Sequence, residues 1–199
     1  MREAYDLDKA NGDILWADAI SKGMDNVKVA FEILDDNETV PRDHQFVRCH
    51  MVFDVKMEDF PRKARFVAGG HMAKAPAAMT YAHVVFRETV PVVLTIAALN
   101  DLQVKCGDDL NAYITAPVTE KIWTTLGPEF GADAGKTALV VCVLYGLKSV
   151  GAAVCKHLGE CISRLGYIPC LAYPDICLKA KVRPDDGVSL LLRRETPAT

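Results

Sequence analysis

A chain of 199 residues, half of them apolar and a quarter charged, is long enough to bury an ordinary core and too apolar to stay disordered. A formal net charge of −3 argues against a uniformly basic nucleic-acid binder and leaves only a local patch for that role. The longest apolar run, Leu139 to Leu144, is far too short to cross a bilayer, and the Met1 to Asp6 lead lacks the apolar centre of a signal peptide, so the expectation is an intracellular chain without membrane contact. Nothing in these residues chooses between cytoplasm and nucleus.

After a short polar lead, Trp16, Ile20 and Met24 fall at helical spacing and predict an amphipathic helix. Turns at Asp35–Glu38 and Val40–Asp43 follow. Val47–Lys56 and Lys63–Ala68 then predict two strands of a hairpin joined through Glu58–Arg62. Gly69-Gly70 and an Ala/Pro-rich stretch form a loop before a helix near Thr89–Leu99, with Pro91 tolerable only in its first turn and Asn100-Asp101 as its end. Gln103–Gly107 predicts a strand that delivers Asp108 to its end, and Ala138–Leu144 a second, buried strand. A helix over Ser149–Leu165 closes at Gly166. Ile176–Val182 and Val188–Leu192 flank the turn Arg183-Pro-Asp-Asp-Gly187 as a further strand pair. Hairpins mixed with crossing helices imply an α+β fold, an antiparallel sheet with packed helices.

The seven cysteines form an odd set with no Cys-x-x-Cys pair, which suits free thiols better than a disulfide framework or a zinc knuckle. Cys155, His157 and Cys161 do not all share one helix face, because i and i+2 point apart.

Asp108 is a hard carboxylate at a strand end, and such a group suits Mg²⁺, yet Asp108-Asp109 also reads as a solvated strand end. Asp109 cannot replace Asp108, since successive residues of an extended chain face opposite sides. Tyr113 reads either as a ring lining a site or as a core residue of the next short helix. Lys63 and Arg65 share one face of their strand, as a phosphate clamp requires and as any half-exposed strand also shows. Gly146, in Leu144-Tyr-Gly-Leu-Lys148, opens a helix and permits close backbone approach, while Lys148 offers a cation.

Taken together, Asp108-x-x-x-Ala112-Tyr113, Lys63-Ala-Arg-Phe-Val-Ala-Gly-Gly70 and Leu144-Tyr-Gly-Leu-Lys148 resemble the reverse transcriptase of copia-type LTR retrotransposons. The likeness runs from Trp16 to about Pro184 and includes Thr80-Tyr81, Arg87-Glu-Thr89 and Leu165-Gly-Tyr167. It implies one partial domain over 1–199, mainly fingers to about residue 100 and an incomplete palm beyond. It implies that Asp108 is catalytic and binds Mg²⁺, that Lys63 and Arg65 hold dNTP phosphates, that Tyr113 gates the sugar, and that Gly146 and Lys148 meet an RNA or DNA template-primer. Polymerases of this kind use two magnesium ions to stabilise the attacking and leaving oxygens.

Several residues depart from the family pattern. Pro91 stands where a basic residue is usual, Ala152 where an arginine is, and Val154 where an aromatic is. After the Asp185-Asp186 turn the family runs into Tyr-Val-Asp-Asp, whereas these residues read Val188-Ser-Leu-Leu-Leu-Arg-Arg-Glu195. Asp185-Asp186 lacks the apolar lead of that motif and reads as a solvated loop. Integrase, thumb and RNase H regions are missing partners. The expectation is an RNA-directed DNA polymerase by ancestry that is catalytically incomplete as this stretch, and the alternative is a non-catalytic remnant that binds nucleic acid or protein.

Overall fold

The structure is a computed structural model and describes residues 1–57, 60–71, 73–74, 87–105, 112–171, 173 and 176–180, together with the backbone of 188–192. It divides into two compact units, the first made of 1–80 and 111–154 and the second of 81–110 and 155–199.

The first unit begins with two helices, α1 (Arg2–Asn11) and α2 (Leu15–Val27). The polar lead expected from sequence is therefore helical. Its period was hidden because α1 buries only Ala4 and Asp8. Asp8 is buried because it works as a cap: its carboxylate accepts the backbone N–H groups of Trp16 (3.0 Å) and Ala17 (2.8 Å), orphan donors of the first turn of α2. Burial pushes the Asp8 carboxyl up, but those two hydrogen bonds, Asp13 and the charge of Arg62 together hold it below the ordinary value.

As expected, α2 is amphipathic, burying Trp16, Ala19, Ile20, Met24 and Val27. A 3₁₀ turn (Lys28–Ala30) leads to β1 (Phe31–Ile33), and β2 (Gln45–Phe46) follows. The expected hairpin is present as β3 (Cys49–Val55) and β4 (Arg62–Ala68), antiparallel and in register from Cys49 opposite Ala68 to Val55 opposite Arg62. Its period of two sorts the side chains. Ala64, Phe66 and Ala68 are buried with the half-buried Cys49, Met51, Phe53 and Val55, while His50, Val52 and Asp54 are exposed. The Trp16 ring meets Phe53 edge-on at 5.5 Å, and Phe31, Phe66 and Phe130 meet one another edge-on at 5.2–5.8 Å. These contacts join α2, the hairpin and β1 in one core.

In the second unit, α3 (Thr89–Leu99) carries Pro91 in its first turn and ends at Asn100, as expected. It buries only the stripe Thr89, Val93 and Ala97. The next strand, β5 (Gln103–Lys105), is followed by α4 (Ala112–Thr115), which belongs to the first unit with β6 (Ile122–Thr125) and β7 (Thr137–Val140). Between them a 3₁₀ segment (Pro128–Asp133) supplies Phe130.

The four-stranded sheet of the first unit has the order β1-β7-β6-β2, with β6 and β2 parallel and the other neighbours antiparallel. The expected strand over Ala138–Leu144 is corrected here: it stops at Val140. Beyond it the chain bonds to 116–118 instead, through Val118 N–H to Val141 O and Val143 N–H to Ala116 O. Pro117, opposite Cys142, has no N–H and reduces that pairing to an isolated bridge.

Helix α5 (Val150–Arg164) is followed by Gly166 at φ 84°, close to the expected end. The remaining strands are β8 (Ile168–Pro169), β9 (Ile176–Ala180) and β10 (Val188–Leu192). The second sheet has the order β5-β10-β9-β8, with β9 and β10 antiparallel as expected and β10 parallel to β5. Its small core holds Val93 and Ile176 with Leu102, Cys170 and Leu178. The α+β expectation holds, with mixed sheets rather than a purely antiparallel one.

Candidate functional site

Three separate stretches of the first unit converge on the outer side of its hairpin. From β4 come Lys63 and Arg65, half-buried on the face opposite Ala64, Phe66 and Ala68. The turn after β7 brings Tyr145, Gly146 and Lys148, and α4 brings Tyr113. The Arg65 guanidinium lies 5.9 Å from the centre of the Tyr145 ring, within cation–π range, and the Tyr113 and Tyr145 rings are 4.3 Å apart. Burial pushes the Tyr145 phenol up, and the charge and hydrogen bond of Arg65 only partly offset this.

The turn is fixed by backbone contact. Tyr145 forms a parallel bridge with Val67, and the Ala68 N–H donates to the Tyr145 carbonyl at 2.7 Å. A Cβ on Gly146, whose φ is 90°, would land on the Ala68 carbonyl oxygen, and one on Gly70 would land on the Gly146 carbonyl. The glycine of Leu-Tyr-Gly-Leu-Lys is thus required for the chain to lie against the hairpin end. Lys148 is held close by, its ammonium donating to the Ala73 carbonyl at 2.7 Å.

Electrostatically, the hairpin face gathers cations around one acid. Arg65 reaches Asp54 diagonally at 3.4 Å, and Lys63 sits directly opposite Asp54 in the register. Partial burial, then the charges of Arg65 and Lys56, lower the Lys63 pKa, and Asp54 only partly compensates. A cation cluster held in this state gains from an incoming anion.

The start of the helix that follows the turn is anchored from within. Ser149, the residue before α5, donates its N–H to the buried Glu120 carboxylate at 3.2 Å, and its hydroxyl donates to the other oxygen. The negative charge at the start of α5 suits the helix dipole.

Of the residues singled out in the sequence, Lys63, Arg65, Tyr113, Gly146 and Lys148 belong to one unit, with Arg65 and Tyr113 meeting through Tyr145. Asp108, the expected Mg²⁺ ligand, lies outside the described residues, as do Asp109, Thr80-Tyr81, Asp185 and Asp186. Among the described residues no three His, Cys, Asp or Glu side chains form a metal-holding group. What the described site offers is anion and ring recognition. No protein-family model, no curated protein and no solved structure matches the chain. No helix among the described residues is long and apolar enough to cross a membrane.

Sequence reasoning missed Tyr145 as the ring between Arg65 and Tyr113, and Asp54 as the acid that Arg65 already holds. Alternation in β3 was the available signal for Asp54, because an acid between the inward-facing Phe53 and Val55 must face outward, where its register partner is Lys63 of β4. On α5, His157 and Cys161 meet across one turn, Sγ to Nε2 at 3.8 Å. Burial pushes the Cys49 thiol up to about 11, which keeps it protonated and unreactive near neutral pH.

Proposed function

We propose that this chain is the fingers and incomplete palm of a copia-type reverse transcriptase, and that these 199 residues bind a nucleoside triphosphate and a template-primer without polymerising. The observation that carries this is the convergence of the Lys-Ala-Arg strand, the Leu-Tyr-Gly-Leu-Lys turn and Tyr113, three segments that are far apart in sequence, on one face. On this reading Arg65 exchanges its long contact with Asp54 for phosphate oxygens, using the forked geometry that suits them, and Lys63 adds a point charge. Tyr113 lies under the sugar, and Asp108 is the first magnesium ligand. The lack of a Tyr-Val-Asp-Asp run among these residues supports binding without turnover.

Two measurements test the proposal. Triphosphate affinity should fall about ten-fold in Arg65→Lys, the loss of roughly one charge-assisted hydrogen bond. Unchanged affinity removes the phosphate role. Primer extension on an RNA template with Mg²⁺ and dNTPs should yield no product, and robust extension that is abolished by Asp108→Ala overturns the assignment of incomplete catalysis.

A further inference from the structure

Helix α5 brings together two metal-type donors that no role above absorbs. His157 and Cys161 are one helical turn apart on the same strip of the helix, with the thiol Sγ 3.8 Å from the imidazole Nε2. Cys155, two residues from His157, points elsewhere, so the donor set is this pair.

The separation is the one that a shared ion needs. With a zinc–sulfur bond of about 2.3 Å and a zinc–nitrogen bond of about 2.05 Å, the two donors stand about 3.6 Å apart at a tetrahedral angle and about 3.8 Å apart at about 120°. The observed 3.8 Å falls within that range before any side chain moves. As a hydrogen bond the same contact is weak, because a thiol is a poor donor and the distance is long, so little holds the pair closed against an ion.

The surroundings suit a metal as well. The strip runs along the margin of α5, between the buried Val154 and Ile162 on one side and the exposed Lys156, Glu160 and Arg164 on the other, and both donors are half-buried. Apolar neighbours shield the ligands, while the open side admits an ion with its remaining waters. Cys49 and Cys142 provide a contrast. Burial pushes their thiols up, which disfavours the thiolate that a metal requires. An imidazole with a thiolate is a borderline-to-soft donor set, and such a set selects zinc over magnesium.

We propose that His157 and Cys161 form a two-point chelate for Zn²⁺, with water completing its coordination. On binding, the S–H bond of Cys161 breaks, its proton leaves to solvent and the sulfur bonds the ion. Nε2 of His157 donates its lone pair, and nothing is oxidised or reduced. Two protein donors hold zinc less tightly than a closed four-donor site does. The residues assigned to the triphosphate belong to the first unit and this pair to the second, so the chelate stands or falls separately from that assignment.

The test is alkylation of the intact, reduced 199-residue protein with iodoacetamide, resolved by peptide mass spectrometry because the chain has seven cysteines. Excess Zn²⁺ should slow alkylation of Cys161 about ten-fold or more, and Mg²⁺ at the same concentration should not. In His157→Gln the Zn²⁺ concentration that gives half protection should rise about ten-fold or more. Circular dichroism verifies that the variant folds, and the comparison of Zn²⁺ with Mg²⁺ on the wild-type protein needs no variant. Full-rate alkylation of Cys161 in excess Zn²⁺, equal protection by Mg²⁺, or an unshifted Zn²⁺ dependence in a folded His157→Gln overturns the proposal.

Discussion

Gly146→Ala puts a methyl group where the Ala68 carbonyl oxygen already lies. Two costs follow from the geometry. Holding an alanine at positive φ costs about 1 kcal/mol. Relieving the overlap separates the turn from the hairpin, which breaks the 2.7 Å bond from Ala68 N–H to Tyr145 O and leaves the N–H of a buried residue unpaired, at about 2 kcal/mol. The sum, about 3 kcal/mol, corresponds to a fall of about 1.5 M in the urea midpoint at a slope of about 2 kcal/mol per molar. Both tryptophans belong to the first unit, so tryptophan emission during urea unfolding reads this unit specifically. Gly12→Ala is the internal control. Gly12 also has positive φ, at 72°, but a Cβ there meets nothing within 4 Å, so only the first cost of about 1 kcal/mol applies. Equal losses in the two variants would refute the close approach as the reason for glycine at 146.

Further outcomes follow from other contacts. Trp16→Ala should destabilise the first unit by about 3–5 kcal/mol, since it removes a buried ring packed on Phe53 and lying beneath Arg62; a loss below about 1 kcal/mol in urea unfolding would show that α2 is not part of that core. The hydrogen bond from Lys121, and then that from His44, hold the Asp43 carboxyl at about 2, so its contribution is complete above the unfolded value of about 3.9 and is lost as pH falls through the folded value. Lys121→Met should move the Asp43 NMR titration midpoint upward, and an unmoved midpoint contradicts the pairing. Because burial and neighbouring cations lower the Lys63 pKa, triphosphate binding should draw that pKa back up and take up a proton. Affinity should therefore fall as pH rises through the free protein's Lys63 pKa, less steeply in Lys63→Arg, and identical profiles would exclude Lys63 from the site.

Where apolar residues recur with a clean period, as in α2, the β3–β4 hairpin and α5, the sequence was a sufficient guide; α3 and the β9–β10 pair, which lack such a period, were placed by Pro91, Asn100 and the Arg183–Gly187 turn and also lie close to their expected positions. Elements held by something other than a period or a turn signal escaped. Helix α1 is positioned by a buried aspartate whose partners are backbone groups of the next helix, and no hydrophobic pattern encodes that. Strand β2 is only two residues long, and its pairing depends on β6, which lies far along the chain. Strand β7 ends early because Pro117, from another segment, denies it a ladder partner. For the site, the facing of Lys63 and Arg65 was legible from alternation within one strand. The meeting of Arg65, Tyr145 and Tyr113 was not, because it is set by where Gly146 lets one backbone rest on another.

The division of the first unit between 1–80 and 111–154 has a consequence for synthesis. Trp16, Phe31 and Phe66 leave the ribosome long before Ala138, Val140 and Leu144, which complete their core. At roughly 5–20 residues per second, that interval is on the order of 10 s. Through it the nascent chain displays aromatic surface that Ile122, Phe130 and Val140 have yet to cover, a vulnerable interval in which holdase chaperones would have their best chance to engage. Slowing translation within 81–110 would lengthen the exposure and lower the soluble yield without altering a single native contact.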